Sequence, residues 1–129
     1  MDMSDYRQLK AWQRAYTLAL DLYRVTRDFP AHERYGLTSQ LRRAAISVVA
    51  NVAEGAGRGA EGDFTRFLWI ARGSLTELVA ELSLGRDLGY LKQEDAERLL
   101  GQGNEVGRML TGLLKSRGAI PDRSRPSND

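Results

Sequence analysis

Gln40, Arg43, Ser47, Asn51 and Glu54 fall on one side of a helical period, so a helix would set an arginine, a hydroxyl, an amide and a carboxylate in one line. Those residue types could serve nucleophilic chemistry if a base stood beside the serine. None does. The sole histidine, His32, lies in the turn after Pro30 and reads as a solvated loop residue; cysteine is absent. Arg43 and Glu54 are roughly three helical turns apart, beyond direct contact. The five residues therefore read as a structural polar seam that fixes helix register, with Glu54 reaching Arg58 one turn on. No catalytic residue is assigned, and no enzymatic activity is expected.

The glycine cluster Gly55-Ala56-Gly57-Arg58-Gly59 is the next candidate, since glycine loops can cradle phosphate with backbone amides. A phosphate loop follows a strand and ends in Gly-Lys-Ser/Thr. This cluster follows a helical pattern and has neither feature, so it reads as a hinge. Without cysteine there is no disulfide framework, thiolate zinc site or thiol nucleophile, and a single histidine excludes a multi-histidine metal site within one subunit. No metal and no cofactor is expected.

Four helical elements must position these residues. Over 8–28, Trp12, Ala15, Tyr16, Ala19, Leu22, Tyr23 and Val25 form an apolar face, with Lys10, Arg14, Thr17, Asp21 and Arg24 opposite; the spacing assigns the aromatics to the core rather than to base stacking. Phe29-Pro30 ends that helix. The second, over 37–54, carries apolar residues around roughly two-thirds of its circumference, as an inner helix of a bundle or one used in subunit contacts would. Gly55, Gly57, Gly59 and Gly62 then force a turn, because each glycine costs a helix interior about 1 kcal/mol relative to alanine.

A third helix over 61–88 begins with acids placed to oppose its dipole and shows two apolar strips. One is core; the other, with Trp69, Ile70, Gly73 and Leu84, is assigned to an oligomer contact. Tyr35 and Tyr90 are expected to pack over the bundle ends. The fourth helix spans 93–116 with one apolar face, on which Gly103 and Gly107 permit close approach of a neighbour. Residues 118–129 have little to bury and are expected to be disordered. The fold class is all-α, an antiparallel up-down-up-down four-helix bundle occupying 1–117 as one domain.

Net charge is +2, from 19 basic and 17 acidic residues, too mild for a strongly electrostatic binder. Charge is nonetheless segregated. In an up-down bundle one pole would gather Arg7, Lys10, Arg14, Arg58, Arg66, Arg72, Arg108, Lys115 and Arg117 against Asp2, Asp5, Glu54, Glu61, Asp63 and Glu105. Lys10, Arg14, Arg58, Arg66 and Lys115 are therefore the candidate nucleic-acid-binding residues, stronger when repeated around an oligomer. The N-terminus lacks the apolar core of a signal peptide, and no uncharged apolar run reaches about 18 residues. A cytoplasmic protein that neither spans nor binds a membrane is expected.

Several segments also carry a resemblance. Phe29-Pro30, Tyr35-Gly36-Leu37, Gln40-Leu41-Arg42-Arg43-Ala44-Ala45, Asn51-Val52-Ala53-Glu54-Gly55 with Gly57-Arg58, Gly73-Ser74, Glu77-Leu78 and Leu88-Gly89-Tyr90-Leu91 lie within a match spanning Leu9 to Leu114. They resemble the bacterial four-helix-bundle family encoded in intervening sequences of 23S ribosomal RNA genes. The resemblance implies a homopentameric ring. It also implies kinship with the accessory variability proteins of diversity-generating retroelements, basic pentamers that bind nucleic acid and reverse transcriptase. Two functions remain open: an oligomer that binds RNA or DNA through its basic pole, or a scaffold for another protein with no nucleic-acid role.

Overall fold

The structure, a computed structural model, describes residues 5–121. Its helices are α1 (Lys10–Thr26), α2 (Leu37–Gly57), α3 (Glu61–Asp87) and α4 (Gln93–Ser116), with 3-10 turns at Tyr6–Gln8 and Ala31–Glu33 and no strand among the described residues. Each helix packs on the next and α4 closes back on α1, while the diagonal pairs keep their backbones apart. Connections this short make neighbours antiparallel, so the chain is an up-down-up-down four-helix bundle. Its fully buried centre is mostly leucine: Leu18 and Leu22 from α1, Leu41 from α2, Leu68, Leu78 and Leu82 from α3, Leu99, Leu110 and Leu114 from α4. No helix among the described residues is long and apolar enough to cross a membrane.

The α2–α3 corner departs from the sequence expectation. α2 does not stop at Glu54 but runs on through Gly55, Ala56 and Gly57. Helix propensity is outweighed there by fit: a Cβ on Gly55 would sit 2.7 Å from Phe67 Cβ and 3.1 Å from Phe64 Cδ2, so only glycine lets the two helices approach this closely. The turn falls instead at Gly59, whose φ of 77° is left-handed. Glu61 and Asp63 occupy the first turn of α3.

Both later helices end in the same six-residue closure. Tyr90 N–H donates to the Gly85 carbonyl (3.0 Å) and Gly89 N–H to Arg86; at the end of α4, Ala119 N–H donates to Leu114 (2.9 Å) and Gly118 N–H to Lys115. The second closure folds Ala119 and Ile120, just past Arg117, onto the core; residues 122–129 of the expected tail lie outside the described residues. At the opposite pole Glu33 accepts from Leu37 N–H (3.1 Å) and from the Tyr90 hydroxyl (3.0 Å), joining the start of α2 to the α3–α4 connection. Tyr90 packs against the core there, whereas Tyr35 stays 87% exposed with only the Arg34 guanidinium, 5.6 Å away, over its ring.

α1 holds a second correction. Its period puts Asp21 on the polar side, yet Asp21 is buried at 5% exposure where α1 meets α4. Its carboxylate accepts a forked pair from Arg98, Nε to Oδ2 at 2.8 Å and Nη2 to Oδ1 at 3.1 Å, and also pairs with Arg24. Arg98 in turn reaches Asp95 at 2.9 Å. The Arg98 hydrogen bonds outweigh desolvation and hold the Asp21 carboxyl below its ordinary range.

Candidate nucleic-acid interface

The basic pole is far less free than a charge census implies. Arg7 pairs with Asp5 (2.9 Å), Arg14 with Glu105 (3.4 Å), Arg58 with Glu54 (2.9 Å), Arg66 with Asp63 (3.9 Å) and Arg117 with Glu61 (2.6 Å). Such surface pairs add little to stability, typically about 0–1 kcal/mol, but each cancels a positive charge where a phosphate would bind. Every acid of the pole within the described residues is consumed in this way; Asp2 lies outside them. Of the five candidates, Arg14, Arg58 and Arg66 are paired. Lys10 and Lys115, together with Arg72 and Arg108, have no ion-pair partner among the described residues.

Those four cations lie on one surface. Arg72, Arg108 and Lys115 line an open groove of about 640 Å³ between α3 and α4, with Thr76, Thr111 and Asn104 beside them and no carboxylate in its wall. Glycines bring α3 and α4 close along its floor, where a Cβ on Gly103 would meet Val79 at 3.0 Å and one on Gly107 would meet Leu75 at 3.4 Å, while Gly112 faces open space. Arg72 is held in place, its Nε donating to Thr111 Oγ1 at 3.2 Å and its guanidinium 5.5 Å from the Trp69 ring centre. Lys10 lies beyond Gly112, which also borders a small apolar groove between α1 and α4. A positive band thus crosses α1, α4 and α3.

The polar seam resolves into three separate groups. Arg43 donates to Gln40 Oε1 (2.8 Å), and Arg58 donates to Glu54 Oε1 (2.9 Å). Between them Asn51 donates to the Ser47 carbonyl (2.8 Å) and Oγ (3.0 Å), and Ser47 Oγ shares a hydrogen bond with Ser74 Oγ (2.7 Å). Only the Ser47 group hydrogen-bonds to α3, while Arg58 lies over the Phe67 ring. Its serine has another hydroxyl for a neighbour and no base, so the arrangement sets helix register without offering a nucleophile. Nearby, burial and then Glu77 push the Glu81 carboxyl up, against the opposing pull of Arg43. No group of three or more His, Cys, Asp or Glu side chains among the described residues could hold a metal ion.

Trp69, Ile70 and Leu84 are 42%, 42% and 51% exposed, and a Cβ on Gly73 would meet nothing within 4 Å. A second apolar face runs between α1 and α2. Tyr16, Leu20 and Ile46 remain 45%, 59% and 50% exposed there, beside a nearly all-apolar groove of about 220 Å³. The sequence assigns Tyr16 to the core, which the structure corrects.

A sequence profile of the family described as 23S rRNA-intervening sequence protein matches residues 7–112. No curated protein matches the chain. The bundle resembles a crystal structure of a protein of unknown function from the S23 ribosomal protein family of Bacteroides thetaiotaomicron, with a TM-score of 0.74 and 20% identity, over 81% of this chain and 95% of that one. At that identity the likeness shows the fold alone.

Proposed function

The chain belongs to the 23S rRNA-intervening sequence protein family, and we propose that it is a cytoplasmic, non-enzymatic homo-oligomer, a pentamer by family resemblance, that binds nucleic acid weakly and with little sequence preference. The observation that carries this is the band of Lys10, Arg72, Arg108 and Lys115, left without carboxylate partners among the described residues while the other cations of the pole are paired. Phosphate contacts of this kind position a strand without reading its bases. Repetition around an oligomer would multiply them.

Each neutralised phosphate contributes about −0.9 to the slope of log affinity against log salt on duplex DNA. Arg108→Ala with Lys115→Ala should flatten that slope by up to about 2 for each engaged subunit. Arg58→Ala with Arg66→Ala should flatten it less, because Glu54 and Asp63 already hold those guanidinium groups. Absence of binding to single-stranded or duplex RNA and DNA at about 50 mM salt, where screening is weak, would overturn the proposal.

The alternative, a protein scaffold, draws on the exposed apolar faces of α3 and of α1/α2. Gly73→Phe should leave the subunit folded, since nothing within it stands in the way, and should lower the mass seen by light scattering if the strip of Trp69, Ile70, Gly73 and Leu84 is a subunit contact. An unchanged mass would remove that strip from the interface.

A further inference from the structure

We propose that the α3/α4 groove is shaped for single-stranded nucleic acid, with its phosphates on Arg108 and Lys115 and one base stacked on Trp69; this rests on the nucleic-acid function proposed above. Arg108 and Lys115 are seven residues apart on α4, roughly 10 Å along the helix, so they can follow a strand rather than clasp one isolated anion. The groove is open to solvent above the close α3–α4 contact, and Gly112 leaves its wall clear, so a strand can lie along it. Trp69 stands beside this track, outside the hydrophobic core and 42% exposed.

Arg72 joins the two parts. It lines the groove, is anchored by Thr111, and lies against the Trp69 ring. A guanidinium over one face of the indole can meet a phosphate while the opposite face takes the attached base. A cationic groove flanked by an aromatic platform is the arrangement that holds single strands without reading sequence. In a duplex the base faces are already stacked on one another. An external indole then gains nothing, and only the phosphate contacts remain.

The test is fluorescence anisotropy of the full-length protein at low salt, with a labelled oligodeoxythymidine and a blunt duplex of equal length, and with light scattering on every variant. The single strand should bind more tightly than the duplex. Trp69→Ala should weaken the single strand about tenfold, leave the duplex unchanged and keep the salt slope, since it removes stacking but no charge. Trp69→Phe should restore most of the loss. Equal affinity for the two forms, no effect of Trp69→Ala, or a Trp69→Ala oligomer of reduced mass would each overturn this inference and leave the broader function standing. Full displacement of the strand by millimolar inorganic phosphate would also overturn it, marking the groove as a small-anion site. Failure to bind either nucleic acid would remove both.

Discussion

Gly55→Leu should destabilise the bundle by about 3 kcal/mol and Gly55→Ala by about 1–2 kcal/mol, whereas Gly57→Ala, two residues later in the same helix, should stabilise it by about 0.5–1 kcal/mol. The opposite signs follow from what a new side chain would meet. At Gly55 even a single carbon lies 2.7 Å from Phe67 Cβ, an atom fixed to the α3 backbone and unable to swing aside. α2 and α3 would have to separate, loosening Phe64 and Phe67 in their buried positions. That loss exceeds the gain in helix propensity. At Gly57 nothing lies within 4 Å and φ is not left-handed, so alanine keeps the gain. Chemical denaturation at one fixed protomer concentration measures both, since association would otherwise shift the midpoints. A Gly55→Ala protein as stable as wild type would show that the two helices do not meet here.

Asp21→Asn should cost about 2–3 kcal/mol near neutral pH, because it removes the charge that Arg98 is folded around. Arg98 is 39% exposed, so water recovers part of the loss and the upper range for a fully buried pair does not apply. The pH dependence carries its own sign. Arg98 holds the Asp21 carboxyl below its unfolded value of about 3.9, so the contribution is complete above that pH and disappears as pH falls through the lower folded value. The stability difference between wild type and Asp21→Asn should therefore be constant from neutrality to about pH 5 and shrink below about pH 4. Comparing the two proteins isolates Asp21 from other depressed carboxyls such as Glu33, whose shift comes first from the Leu37 N–H. Parallel pH profiles down to about pH 2 would mean that the pair is not formed in solution.

The linear chain determined the helices themselves. Leu41 and Val48, Leu68, Leu75 and Leu82, or Leu99, Val106 and Leu110 recur at helical spacing and are buried, and α4 begins and ends where its pattern does. Periodicity is local, so it needs no partner. Bundle order followed as well, because connections as short as these leave neighbouring helices little choice but to run antiparallel. Gly89 ends α3 with a left-handed backbone, a conformation that favours glycine wherever it occurs.

Tertiary structure decided what depended on a neighbour distant in sequence. Gly55 looks like a helix breaker until Phe67 lies against it, and Asp21 looks solvated until Arg98 arrives from α4, 77 positions along. Tyr16 looks buried because a period fixes direction but not whether another helix stands there. The candidate interface was only half legible for the same reason. Composition and topology gathered nine cations at one pole, but free positive charge depends on which carboxylates come within a few ångströms. Pairing quenches Arg14, Arg58 and Arg66 and leaves Lys10, Arg72, Arg108 and Lys115 on a single surface. Charge counts add along a chain, but electrostatic fields are set by distances in space.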